Sequence, residues 1–356
     1  MPKLRILADI THPAHVHFFR NSIDIWQQKG HEVLITSREK DLTLDLLDEL
    51  GYAHRCLSKA RSGVGGLARE LLERQAKLFR LVQEFRPDAM CAIAGTFIVH
   101  VGWLRRIPSL VFYDTENAVV SNFITYPFAT EIHTPHCYQG RIRRGQVCYP
   151  GYHELAYLHP CRFAPDPAVL AELGFSPDEV FTVVRFVGWG SGHDIGDRGF
   201  SPEGKKRLVA ALEPLGRVVI SSEAPLPPEL APYAYRGDPS KIHHLLHYAS
   251  LYVGESATMA SEAAVMGTPG VFVSPLGRGY TDEQEERYGL VRYFRCEEED
   301  AAIATAVEWL SRAELKEKHH QEHCRLLDER IDVTAYVAEV VEEHARRHRA
   351  RLLGAR

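Results

Sequence analysis

The segment "GESATMASEAAVMGTPGVFV", Gly254 to Val273, carries a single acid beyond its first two residues, Glu262, set among Ala, Ser, Met and Val. Its pattern reads as a strand "LYVGES", a helix "ATMASEAAVM" stopped by Gly267, and a second strand "TPGVFVS". A helix that starts at the carboxyl end of a parallel strand gathers unpaired N–H groups and the positive end of the helix dipole, which together favour an anion. Ser256 and Thr258 are placed to cap that helix and to offer hydroxyls to phosphate. The small side chains Ala257, Ala260, Ser261, Ala263 and Ala264 let a ligand or a neighbouring sheet come close. A capping box would need Ser or Thr three residues before the acid, but Met259 stands there. Two readings of Glu262 remain: a carboxylate that binds ligand, or a solvated surface acid.

Four further stretches bring reactive side chains to strand ends. "DITHPAHVHFF" crowds Asp9, His12, His15 and His17 around one turn. Its H-x-x-H-x-H spacing has enough imidazoles for zinc, yet no cysteine or second carboxylate accompanies them. The reading taken here is therefore no metal, with His15 or His17 as a hydrogen-bonding or basic group and His12, before Pro13, beside the helix N-cap. "VFYDTENAV" ends another strand with Asp114 and Glu116, which suit either base chemistry on a hydroxyl or the start of a helix. "RFVGWGSGHDIGDRG" places Arg185, His193 and Asp194 among Gly188, Gly190, Gly192 and Gly196, a loop able to bring amides and a fixed cation to phosphate. In "PLGRGYTDEQEERYGL", Arg278, Glu283 or Gln284 could meet a sugar hydroxyl, or Thr281 and Gln284 could simply begin a surface helix.

The elements that must carry these residues alternate short apolar runs with helix-period segments. In the first part of the chain the predicted strands are "RILADI", "HEVLITS", "DAMCAIA" and "SLVFYD", with a helix ending at Gly30 and a long one closed by Pro87. Prolines 150, 160, 165, 167 and 177 interrupt the pattern and place a linker there. A second alternation follows. The expected division is residues 1–155, residues 165–330, and a terminal helix with a basic tail at 331–356. At 356 residues and 45% hydrophobic content the chain has enough material for two cores. A net charge of −5 and a pI near 6.4 argue against a nucleic-acid partner. Seven scattered cysteines without a C-x-x-C pair read as cytoplasmic thiols, and no apolar run approaches the roughly 18 residues of a membrane span. Arg346, Arg347, Arg349, Arg351 and Arg356 would suit either anionic lipid, as a peripheral membrane contact, or plain solvation of a helix end.

The opening segment resembles the nucleotide-sugar signature of GT-B glycosyltransferases and UDP-N-acetylglucosamine 2-epimerases: a small-residue turn, a Thr, a Glu, then Gly-x-Pro and a strand. Together with "DITHPAHVHFF" and "VVRFVGWGSGHDIGDRG", it is similar to an uncharacterised prokaryotic family of GT-B-like predicted glycosyltransferases over most of the chain. The resemblance implies an α/β fold of two Rossmann-like doubly wound domains facing a cleft, with C-terminal helices. It implies that Ser256, Ala257 and Thr258 hold the donor pyrophosphate, that Glu262 binds ribose, and that Arg185 reaches the phosphates. On that basis His17, Asp114 and His193 are the catalytic candidates, and His15 and Glu116 lie on the acceptor side. The partners implied are a nucleotide-diphosphate sugar, a UDP-sugar foremost, and a sugar or lipid-linked acceptor; no cofactor is expected, and no D-x-D motif signals a metal. The implied reaction is metal-independent glycosyl transfer in polysaccharide or glycoconjugate synthesis. The alternatives are a 2-epimerase and a nucleotide-sugar-binding protein without turnover. Against the epimerase, the His-Arg-x-Glu-Asn stretch of that family is missing, and Gly95 stands in "CAIAGTF" where its pattern has Asp.

Overall fold

The computed structural model describes residues 3–116, 119–142, 144–176, 178–188 and 199–354. The chain forms two compact units, Met1–Tyr157 with Ile331–Arg356, and Leu158–Arg330.

The first unit runs β1 (Arg5–Ile10), α1 (Pro13–Gln28), β2 (Glu32–Glu39), α2 (Thr43–Glu49), β3 (His54–Lys59), α3 (Gly63–Phe85), β4 (Ala89–Ile93), α4 (Ile98–Arg105), β5 (Ser109–Phe112), α5 (Val119–Thr125), β6 (Glu131–Pro135) and β7 (Gln146–Tyr149). The seven strands lie in the order β3-β2-β1-β4-β5-β6-β7, each pairing parallel with its neighbour. Strand order reverses between β1 and β4, so the switch point of a doubly wound sheet falls at the turn that carries the histidines. The central strands are almost continuously apolar because helices cover both faces, and Leu7, Met90, Val111, Leu78, Val82 and Val99 form one core cluster. Gly30, with φ +78°, follows α1, and Arg86, in the left-handed region at φ 54°, caps α3 before Pro87.

The second unit begins at the end of α6 (Leu155–Leu158) and continues with α7 (Ala168–Glu172), β8 (Phe181–Phe186), α8 (Pro202–Leu212), β9 (Arg217–Ser222), α9 (Ile242–Tyr248), β10 (Leu251–Gly254), α10 (Ala257–Val265), β11 (Gly270–Val273), α11 (Gly279–Glu286), β12 (Val291–Phe294), α12 (Glu299–Ser311) and α13 (Ala313–Glu329). Its five parallel strands are ordered β12-β11-β10-β8-β9, which puts the switch point between β8 and β10. Val184, Phe186, Leu208, Val253, Val271 and Val273 form its core.

The last helix, α14 (Val333–Gly354), returns to the first unit instead of standing apart. It buries Val337 and Val341, takes the indole N–H of Trp26 on the Ala338 carbonyl at 3.2 Å, and pairs Glu342 with Lys29 at 2.7 Å. Three of its tail arginines have partners within the chain. Arg346 pairs with Glu342 and Arg347 with Glu343, while Arg349 donates to the Lys3 carbonyl. Arg356 lies outside the described residues.

The structure has elements beyond those predicted from the sequence, among them α2, β3, α4, α5, β6, β7 and β12. Strand β3, "HRCLSK", is a sheet edge with one fully apolar inward residue, Leu57, so it lacks the continuous run that marks a central strand. Strands β6 and β7 are short and mix Glu, His, Thr and Gln with few apolar positions. No described helix is long and apolar enough to cross a membrane.

Candidate functional site

In the second unit, β10 ends at Gly254, where a Cβ would lie 2.7 Å from the Arg185 carbonyl and 2.6 Å from the Tyr252 hydroxyl, so only glycine fits. The next residue, Glu255, is buried. Its carboxylate accepts from the Val187 amide and the Phe200 amide, each at 2.8 Å, with Lys205 at 3.4 Å. Burial pushes the Glu255 carboxyl up, against the opposing pull of Lys205 and the two amides. Ser256 then caps α10, its hydroxyl accepting from the Met259 amide at 3.3 Å. Among the described residues, no acceptor meets the amides of Ala257 and Thr258, the first two helical positions. Thr258 is exposed, and Ser256 and Ala257 are half-buried.

Glu262 lies more than one turn inside α10 and is only 5% exposed, so it is neither a cap nor a solvated surface acid. Its Oε1 accepts from His243 Nε2 of α9 at 3.0 Å; a carboxylate can only accept, so that nitrogen carries the proton. Beside it, Gln284 is fully buried on α11 and donates to Ser261 Oγ at 2.8 Å, leaving its own Oε1 without a partner. Gln284 therefore does not belong to a surface helix start. Thr281 acts as the local cap, exchanging hydrogen bonds with the Arg278 backbone at 3.2 and 2.9 Å, while Glu283 pairs with Arg330 at 2.9 Å. Arg278 is half-buried and donates to the Gly277 carbonyl at 3.0 Å.

Arg185 closes β8 in register with Gly254 on one side and Ser221 on the other. Its guanidinium turns toward β9. Nη1 donates to Ser221 Oγ at 2.7 Å and Nη2 to Glu223 Oε1 at 2.6 Å. Glu223 Oε2 also accepts from the Gly188 amide at 3.2 Å. His193 and Asp194, with Gly190, Gly192 and Gly196, lie outside the described residues.

In the first unit, His12 is the N-cap of α1, its Nδ1 accepting from the Ala14 amide at 3.2 Å. His15 Nδ1 accepts from the Thr11 amide at 3.3 Å. Burial first, then His12 and His153, bring its pKa down to about 3 against the opposing pull of Asp114, so His15 is neutral with its proton on Nε2. It is a hydrogen-bond donor in that form. His17 packs its ring on Tyr157, with centroids 5.4 Å apart. Asp9 is not part of this cluster: it sits in β1, fully buried, accepting from Arg74 at 2.5 Å and Thr36 at 2.6 Å. Among the described residues, no three His, Cys, Asp or Glu side chains come together as a metal site would require.

Asp114 follows β5, as expected, but its partner comes from far along the chain. His153 Nδ1 lies 3.1 Å from Asp114 Oδ2, and the Thr115 hydroxyl donates to Oδ1 at 2.9 Å. Burial works to raise the Asp114 carboxyl, but the charge and hydrogen bond of His153, helped by the Thr115 hydroxyl, hold it below the ordinary carboxylate range. With Nδ1 donating to the carboxylate, the other ring nitrogen of His153, Nε2, is buried without a hydrogen-bond partner. Glu116, the other acid of the stretch, accepts from the Gln139 amide at 3.2 Å. Sequence reasoning missed His153 because nothing in "GYHELAY" separates it from any buried histidine.

With that geometry in place, comparison with known proteins fixes the fold. Residues 4–145 match the family described as a protein of unknown function, DUF354. An uncharacterized protein of Methanocaldococcus jannaschii is 24% identical over 193 residues, 52% of this chain. The match spans 57% of that curated relative's length. UDP-GlcNAc 2-epimerase from Neisseria meningitidis, solved with UDP-GlcNAc bound, superposes with a TM-score of 0.67 at 12% identity over 96% of this chain and 99% of the other. A spinosyn rhamnosyltransferase complexed with spinosyn aglycone gives 0.66 at 14% identity over 95% and 99%. The chain therefore has the GT-B-like fold of glycosyltransferases and nucleotide-sugar epimerases.

Proposed function

We propose that the protein is a glycosyltransferase whose donor is a nucleotide-diphosphate sugar, a UDP-sugar foremost. The observation that carries this reading is the start of α10. A Ser256-capped helix leaves the Ala257 and Thr258 amides open at a topological switch point, with a buried carboxylate, Glu262, more than one turn further on. In this reading the amides, the Ser256 and Thr258 hydroxyls and Arg185 hold the diphosphate, while Glu262 accepts from the ribose hydroxyls. His193 stays a catalytic candidate in this proposal and lies outside the described residues.

Transfer needs a base for the acceptor hydroxyl and a stabilised leaving group. As the acceptor oxygen bonds to the anomeric carbon, the bond from that carbon to the diphosphate oxygen breaks. The acceptor proton passes to the base, and the charge on the departing diphosphate meets helix dipole, amides and guanidinium. Asp114, held ionised by His153, is the base that the geometry favours, with neutral His15 as a donor that orients the acceptor. His17 and Glu116 line the acceptor side in the same proposal. The acceptor is a sugar or a lipid-linked sugar, and the reaction takes place in the cytoplasm or at the membrane face bordering it.

Epimerisation is the second reading, supported by the likeness to the Neisseria enzyme. One observation weighs toward transfer. Gly95 has φ +67°, and a Cβ there would sit 2.4 Å from a Val111 methyl, so this turn has no room for the acid of the epimerase pattern. Incubating the protein with UDP-N-acetylhexosamines, with and without an acceptor panel, and following the sugar by NMR separates the two. Transfer predicts at most slow hydrolysis without acceptor. Rapid acceptor-free inversion at C2 would replace it with the epimerase.

A further inference from the structure

Resting on the nucleotide-sugar reading, we propose that Arg185, Ser221 and the Gly188 amide form a cradle for one phosphate of a nucleoside diphosphate, and that the carboxylate of Glu223 occupies it as an internal competitor. The carboxylate spans two donors of different origin, Arg185 Nη2 at 2.6 Å through Oε1 and the Gly188 amide at 3.2 Å through Oε2. Two oxygens of a phosphate can span the same pair, since guanidinium and amide donors match either anion. The cradle has capacity that Glu223 does not use. Arg185 Nε is buried with no acceptor, and because Arg185 Nη1 donates to Ser221 Oγ at 2.7 Å, that hydroxyl keeps its own proton to give to an anion.

The two acids of this edge differ in how readily they leave. Glu255 is 4% exposed and bonded to two amides from separate segments, which makes it a fixed part of the fold. Glu223 has a side chain 46% exposed, against 21% for the Arg185 side chain it covers, so it can turn into solvent while the cation stays. The Glu255 amide donates to the Arg185 carbonyl at 3.0 Å, immediately before the Ser256 cap, so one stretch of backbone ties the cradle to the start of α10. A ligand anion entering the cradle must displace Glu223, and its apparent affinity is reduced by the fraction of molecules in which Glu223 is bound.

The test is calorimetric titration of inorganic pyrophosphate and of UDP into the full chain, wild type against Glu223→Gln, with thermal unfolding alongside as a control on folding. Glutamine keeps the shape and removes the competing charge. Pyrophosphate should bind Glu223→Gln about tenfold more tightly than wild type, and adding Arg185→Gln to that variant should abolish the gain. Glu223→Ala serves the same test if the glutamine variant folds poorly. Unchanged or weaker pyrophosphate binding in the folded Glu223 variants overturns the cradle, even if UDP binds and depends on Glu262, which would leave the donor reading standing. Tighter pyrophosphate with no UDP binding in any variant keeps the cradle and removes the nucleotide.

Discussion

The carboxyl edges of the two sheets are built on opposite principles. In the second unit the edge around Gly254 to Thr258 presents main-chain amides and small side chains, and the nearby acids are engaged by donors: buried Glu255 by amides, buried Glu262 by His243, and half-exposed Glu223 by Arg185. In the first unit the edge works through side chains that titrate. His15 is driven neutral, and Asp114 is held ionised by a histidine brought from a distant segment. Backbone amides do not titrate near neutral pH, which suits recognition of a fixed anion; paired imidazole and carboxylate groups suit a proton transfer. In the proposed reaction, binding falls to one unit and proton chemistry to the other, and variants on each side should separate.

The largest expected effect is on the first unit's side. Asp114→Asn removes the ionised carboxylate while preserving shape and an acceptor for His153, so turnover of a nucleotide sugar with acceptor should fall about 10²- to 10⁴-fold. UDP affinity should be unchanged by titration. Loss of UDP binding with turnover intact would reverse the assignment.

The next effect concerns pH. His15 has a folded pKa near 3 against an ordinary value near 6.5, so between those limits the unfolded chain binds the extra proton and stability rises with pH. Asp114, depressed below its ordinary range, adds stability that is present above its unfolded pKa and lost as pH falls through its lower folded one. Both therefore act in the same direction, with the His15 contribution beginning at the higher pH. Stability measured by denaturant unfolding should fall as pH drops from about 6.5, and His15→Gln should flatten that slope by up to about 1.4 kcal/mol per pH unit. An identical slope in wild type and variant would mean that His15 protonates freely in the folded chain.

A smaller effect tests the second unit's helix start. Ser256→Ala removes the hydroxyl that accepts from Met259 and should lower stability by about 1 kcal/mol, seen as a lower unfolding midpoint. No change would mean that another group caps α10.

These contrasts also explain what the sequence reveals. The strand–helix–strand around Glu262 is legible because its small residues, its Ser cap and its Gly stop sit within one short stretch. Strands β1, β4 and β5 are legible for their continuous apolar runs. Strands β3 and β7 lose that signal because only part of each is buried, and β6, buried along most of its length, loses it because His133 and Thr134 interrupt its apolar run. Ion pairs and hydrogen bonds across the fold leave no local mark. Nothing near Asp114 announces His153, nothing near Glu262 announces His243, and nothing near Arg185 announces its engagement by Glu223. Pro13 at the first helical position marks the start of α1, and His12, expected beside the N-cap, is the cap itself.

The most direct test of the donor reading is calorimetric titration of UDP, GDP and dTDP into wild type and Glu262→Ala. Loss of the carboxylate strands the His243 N–H, so thermal unfolding run alongside must show that the variant is still folded at the titration temperature. If Glu262 accepts two ribose hydroxyls, UDP and GDP should each lose about 1.5 to 3 kcal/mol, and 2′-deoxy dTDP should lose less. Equal affinity of wild type and folded variant for every nucleotide that binds would take the ribose from Glu262 and contradict the account.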